Sequence, residues 1–281
     1  MSSSDRPLST RLVLEAGQAD RQYWRDLWHY RELLFILAWR DVSVRYKQTT
    51  VGILWALIRP FMTMVVFTIV FGHIAKVATD TAVPYAIVVA GGLLPWTLFS
   101  SILGDASASV IANSNLISKV YFPRLIVPLA TVLVVVIDFA VSLAILAVLM
   151  IWYGVAPGWQ MLLLPLFVVL ALLASLGPAI WAAAIVVKYR DFRFVIPFAL
   201  QFGLYISPVG FPSSVVPERW RLLYNLNPMV GIIDGFRWCI VGGESPVYLP
   251  GFILSLAVTA FFLWWGIRTF RRIERQFADI V

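Results

Sequence analysis

LIVPLATVLVVVIDFAVSLAILAVLMIW, residues 125–152, decides the class of this protein, because so long a run holds a single charged side chain, Asp138, and no glycine. A helix crosses the roughly 30 Å hydrocarbon core of a bilayer in about 20 apolar residues. Working outward, five further apolar stretches share this character, at 51–74, 83–103, 161–187, 195–211 and 248–267, and short segments between them hold nearly all the Lys and Arg. Over 281 residues the chain is 60% hydrophobic and 13% charged, with a mean hydropathy of +0.85, outside the range of a soluble domain. The expectation is an all-α integral membrane protein of six transmembrane helices.

Basic residues fix the expected orientation. With the amino terminus in the cytoplasm, segments 1–50, 104–124, 188–193 and 268–281 lie inside and carry seventeen of the 22 Lys and Arg. Lys76, Arg219, Arg221 and Arg237 fall outside, and Arg59 sits near the inner end of the first span, where it can snorkel. A seventh span over 222–241 would put Arg268, Arg271, Arg272 and Arg275 outside and would bury Asn225, Asn227, Asp234 and Arg237; it is rejected on that ground. Both termini are therefore expected in the cytoplasm. Residues 1–32 lack the apolar core of a cleavable signal, so the first span is expected to act as the membrane signal. The net charge of +7 and pI near 9.8 belong to the inner face, where anionic lipid is a simpler partner than nucleic acid.

Three regions follow from the pattern. Residues 1–22 read as a mobile tail, 23–50 as an amphipathic interface helix with a polar elbow, and 51–281 as the six-span domain. Trp24, Leu27, Trp28, Arg31, Leu34, Phe35, Ala38 and Trp39 fall at helical spacing on one face, while Arg25, Asp26, Glu32 and Arg40 lie largely opposite. Such a helix either floats in the interface as an anchor or also touches a cytoplasmic partner. Arg40, Asp41, Arg45, Tyr46 and Lys47 form the polar patch before the first span.

Segment 212–247 is too apolar for a plain loop and too rich in Pro and Gly for a span. Two short helices, at about 217–225 and 228–241, dipping into the outer leaflet as re-entrant helices and returning, would satisfy both facts, since non-helical backbone at that depth must be buried in protein or line a wet cavity. A surface amphipathic hairpin is the plainer alternative.

Little points to catalysis. None of the four lysines, Lys47, Lys76, Lys119 and Lys188, follows a glycine, so there is no Walker A loop, and nucleotide energy would have to come from another polypeptide. Cys239 is alone, and His29 and His73 are too few for a metal constellation. No metal or cofactor is expected in this chain. Asp138, a buried polar candidate, should face the bundle with a partner, because a charge at the bilayer centre costs about 2.5–3.5 kcal/mol on insertion scales. It can serve as a structural hydrogen-bond partner or, with further titratable groups, in a proton relay. Phe194, Phe198, Phe202 and Tyr205 share one helical face beside Gln201, and Met64, Phe67, Thr68 and Phe71 form a looser one. Aromatic faces match the C–H faces of sugar rings, although lipid-facing or core packing also explains such rings.

Taken together, WRDVSVRYKQTTVGILWALIRP (39–60), KVYFPRLIVP (119–128), YRDFRFVIPFALQFGLYISPVGFP (189–212), NPMVGIIDGFRW (227–238) and FRRIERQFADIV (270–281) resemble the transmembrane subunits of type-2 ABC exporters that move lipid-linked polysaccharides, such as O-antigen, capsule or teichoic acid. The resemblance covers the chain from about residue 30 onward. It implies a homodimer of six-span subunits in a bacterial inner membrane, joined by two copies of a separate cytoplasmic ATPase that binds the ATP and Mg. It further implies a channel lined by spans one and five (Phe67, Phe71, Phe194, Phe198, Phe202, Tyr205). The ATPase contact would run through the interface helix (Trp28, Arg31, Phe35) and the loop after span two (Asn115, Lys119, Tyr121, Arg124). Short helices after span five would form an outer gate (Trp220, Tyr224, Met229, Phe236). A type-2 ABC exporter of drugs or lipids shares this topology; a secondary transporter or a membrane glycosyltransferase would need coupling-ion sites or paired acids that this sequence scarcely offers.

Overall fold

The computed structural model describes residues 19–47, 52–74, 83–242, 247–274 and 277. The expected mobile tail up to residue 18, the outer connection 75–82 with Lys76, and Arg275 lie outside the described residues, as does the side chain of Arg59. The described residues form helices and turns, with no strand among them. In chain order the α-helices are α1 (Ala19–His29), α2 (Arg31–Lys47), α3 (Gly52–Phe67), α4 (Tyr85–Ala112), α5 (Ser114–Ile117), α6 (Ile126–Trp152), α7 (Leu164–Lys188), α8 (Phe192–Ile206), α9 (Glu218–Tyr224), α10 (Pro228–Val241) and α11 (Leu249–Glu274). A π-helical segment, Thr68–Ile74, continues α3, and a 3-10 turn, Trp159–Leu163, leads into α7.

Among the described residues, four segments are long and apolar enough to cross a membrane: α4, α6, α7 with its preceding turn, and α11. α4 lies at the centre, packed against α6, α7 and α10, while α11 lies along α7. α7 is rich in alanine, and its Ala171, Ala174, Ala179, Ala182, Ala183 and Ala184 are all buried. Small residues let helix backbones approach closely where apolar lipid gives no hydrophobic drive to association. The crossing with α11 is the tightest case: a Cβ on Gly177 would lie 2.6 Å from the Leu263 backbone nitrogen, and one on Gly266 would overlap the Gly177 carbonyl.

Several expected boundaries shift for identifiable reasons. α4 continues past residue 103 to Ala112, and α11 past 267 to Glu274, so polar residues expected in loops extend these helices. The fifth apolar stretch becomes the 15-residue α8, which starts at Phe192 and stops at Ile206. Ser207 precedes Pro208 and is extended at φ −80° and ψ 153°, because proline pushes the residue before it out of the helical region. The two short helices expected near 217–225 and 228–241 are α9 and α10. α10 begins where the sequence says it should, since the Asn227 side chain accepts from the Met229 amide and Pro228 takes the first helical position.

Two expectations are corrected. Residues 23–39 are not one helix on one apolar face: α1 and α2 meet at Tyr30, and the elbow residues 40–47 are themselves helical. Tyr23, Leu27, Tyr30, Leu34, Leu37 and Ala38 pack inward against α6, α7 and the end of α11, whereas Trp24, Trp28, Phe35 and Trp39 point out. The second concerns segment 212–247. Asn225, Asp234 and Arg237 are buried, and twelve of the 14 residues of α10 are enclosed by α4, α7 and α11. Burial of these groups counted against a seventh span, but a short enclosed helix buries them just as well once each has a partner.

Candidate functional site

The outward face of α8 is the most conspicuous surface of the molecule. Phe194, Phe198, Phe202 and Tyr205 recur every three or four residues and are 53–67% exposed, while Ile196 turns inward against Ala182 and Val186 of α7. The Phe198 and Phe202 rings lie 4.6 Å apart, and Arg193 sits 4.8 Å from the Phe194 ring. These positions form a strip of rings along α8 that the described residues leave more than half exposed. Phe67 and Phe71 behave differently. Their rings are 5.4 Å apart, but both are half-buried; Phe67 packs on the main core and Phe71 lies against Gly210, just beyond α8.

At the amino-terminal end, α2 runs along α6, and a polar cluster joins them. Arg45 pairs with Asp105 of α4 at 2.9 Å and with Asp138 of α6, which also accepts from the Tyr46 hydroxyl. Asp138 thus has its partners, yet its side chain is 27% exposed, so it is part of a lateral helix-to-helix contact rather than an enclosed polar residue. Burial and the bond to Asp138 push the Tyr46 phenol up to about 12, keeping it a donor. Arg40, paired with Asp41, donates to Asn113 at 2.8 Å.

A second junction gathers α1, the α5–α6 connection and the end of α11. The Glu274 carboxylate accepts from the Tyr23 hydroxyl at 3.0 Å and from the Arg124 amide at 2.8 Å. Arg124 also donates to the Glu274 carbonyl and lies over the Phe277 ring. Burial, with the charge of Glu274 beside it, raises the Tyr23 phenol well above its ordinary value.

Residues 32–241 match the family described as ABC-2 type transporter, which takes in α2 through α10 and so both the aromatic strip and the enclosed short helix. The chain belongs to this family. The ABC-2 chain is 29% identical over 259 residues to an O-antigen export system permease protein RfbA of Myxococcus xanthus, covering 92% of this chain and 98% of that one. An O-antigen export system permease protein RfbA of Klebsiella pneumoniae is 24% identical over 263 residues, covering 91% and 97%. The polysialic acid transport protein KpsM of Escherichia coli is 24% identical over 217 residues, 75% of this chain and 81% of that one.

Within the ABC-2 chain the residues expected to meet a partner divide into two sets. Trp28 (72%), Arg31 and Phe35 are exposed on α1 and α2, with Arg31 over the Trp28 ring, and Asn115, Lys119 and Tyr121 are exposed around α5. Arg124 is turned inward by Glu274. Of the expected gate residues, Trp220 is exposed, Tyr224 donates to the Ile206 carbonyl at 2.7 Å, and Met229 and Phe236 are core residues of α10 with no exposure. Three groups that matter here escaped the sequence reading. Arg45 was visible only as part of a boundary patch, Glu274 as part of a charged end, and Arg237 as a loop cation; the one available signal was that Asp138 in an apolar run requires a cation near by.

Proposed function

We propose that the chain is the membrane-spanning channel subunit of an ATP-driven exporter that moves a lipid-linked polysaccharide, undecaprenyl-linked O-antigen or a similar glycan, out of the cytoplasm across a bacterial inner membrane. In this reading α3 with its π-helical continuation and α8 complete six spans, both termini are cytoplasmic, and two copies pair with two copies of a separate ATPase that holds ATP and Mg. The observation that carries it is the uncovered aromatic strip of α8 in a chain of this family. The names of the relatives, which concern O-antigen export and polysialic acid transport, support a glycan as cargo.

A glycan polymer is too long to be enclosed, so it needs a continuous path that holds each sugar weakly and lets it go, which a row of exposed rings provides. The ATPase would bear on the exposed set Trp28, Arg31, Phe35, Asn115, Lys119 and Tyr121. Arg124 and Glu274 would carry that push from the α5–α6 connection into α11. Deleting the gene tests the reading: long lipid-linked glycans should accumulate in the cytoplasm and disappear from the surface, and be restored by the intact chain only together with its ATPase. Unchanged surface glycan, with increased sensitivity to small amphiphiles instead, would assign the chain to drug or lipid export.

A further inference from the structure

The largest fully buried side chain among the described residues is a cation that the aromatic path does not use. Arg237, 2% exposed, reaches from α10 to the non-helical segment 207–212 that follows α8. Its Nη2 donates to the carbonyls of Pro208 at 2.8 Å and Val209 at 3.2 Å, its Nη1 to that of Phe211 at 3.4 Å, and its Nε to that of Val88 at 3.3 Å. Asp234, one turn back, lies 3.8 Å from Nη1. The remaining carbonyls of the segment are also matched. Ile206 accepts from the Tyr224 hydroxyl, Ser207 from the Val209 amide and Gly210 from the Tyr85 hydroxyl. Every carbonyl from 206 to 211 therefore has a donor, and Arg237 supplies three.

This completeness has a physical reason. Backbone that leaves the helix at membrane depth must find its hydrogen bonds within the protein, and two prolines, Pro208 and Pro212, keep this segment from becoming helix. A guanidinium holds five donors in a rigid plane and can serve carbonyls on several sides at once, which the single ammonium of lysine cannot. The fit is close on the far side too: a Cβ on Gly92 would lie 2.6 Å from the Val209 carbonyl oxygen and 2.7 Å from Arg237 Nη2, so only glycine lets the clasp seat against α4. Val209 and Gly210 are buried beneath it, with the Phe71 ring against Gly210.

We propose that Arg237 is a positioning residue that clasps segment 207–212 closed across the end of the α8 aromatic face, and that release of those carbonyls opens that end of the path. The inference rests on the export reading for what passes through, but the clasp itself can be tested without cargo. A water-soluble maleimide reports opening when Val209→Cys is made with Cys239→Ser. The native Cys239, buried on the same helix as Arg237, reports general loosening of α10 in chains that retain it.

In membranes containing the full chain and its ATPase, Arg237→Lys should speed labelling at Val209→Cys by about tenfold, the scale of one lost charge-assisted hydrogen bond, while Cys239 stays protected. With Arg237 intact, ATP should speed labelling at Val209→Cys. Unchanged labelling in Arg237→Lys, or no response to ATP, overturns the proposal. If Arg237→Lys exposes both cysteines, Tyr85→Phe decides, since it removes only the donor to Gly210: faster labelling at Val209→Cys with Cys239 protected upholds the clasp, and no change overturns it. Normal surface glycan after gene deletion would remove the export reading and leave these labelling results to judge the clasp alone.

Discussion

Asp138 shows how one residue can organise two helices. A lone carboxylate in an apolar run calls for a cation, and the structure supplies Arg45 from α2 together with the Tyr46 hydroxyl. The pair is half-open at its edges, and Arg45 keeps Asp105 when Asp138 is lost, so the coupling should be modest. Asp138→Ala is expected to lower stability by about 1 kcal/mol, and by much less in an Arg45→Met background, as part-exposed ion pairs with a shared cation do. Thermal unfolding of the four members of that cycle in detergent measures it; equal costs in both backgrounds would mean the contact contributes nothing.

Among the elements, α8 is unusual because its sequence serves two surfaces. Ile196 locks it to α7 through Ala182 and Val186, while Phe194, Phe198, Phe202 and Tyr205 stay more than half exposed among the described residues. Removing rings from the outer face should therefore spare the fold and affect only what slides along it. Phe198→Ala with Phe202→Ala is expected to reduce surface glycan about tenfold or more, with the ATPase still co-purifying, since two adjacent large ring surfaces are lost together. Normal export by the double variant would remove the aromatic path. α2 makes the complementary point: its apolar residues divide between an inward face at Leu37 and Ala38 and an outward one at Phe35, Ile36 and Trp39, so one helix both braces α6 and presents rings outward.

At the scale of the whole molecule, the proposed path along α8 would need a second wall. The exposed residues Phe61, Met62 and Val66 of α3, Ile69 and Val70 of its π-helical continuation, and the α8 strip are the faces a second copy would cover. In a Cys239→Ser chain, Phe202→Cys is expected to cross-link between copies in native membranes with a short bifunctional reagent, and Trp152→Cys, at the far exposed end of α6, is not. Cross-linking at neither position, with a monomeric mass in detergent, would exclude the shared path.

The sequence by itself determined the class, because apolar runs such as 125–152 are stable as helices in hydrocarbon whatever their neighbours. It also determined the two short helices after α8, through Pro217, Asn227 and Pro228, since caps and prolines act within a few residues of themselves. Family membership was legible in the same way, from segments that keep their order along the chain. Tertiary structure alone decided how the polar groups are used. Arg45 finding Asp138, Tyr23 and Arg124 sharing Glu274, and Arg237 closing on segment 207–212 each join residues far apart in the chain. A charged side chain is written the same way in a sequence whether it faces water or a buried carbonyl, and only packing brings the carbonyl to it.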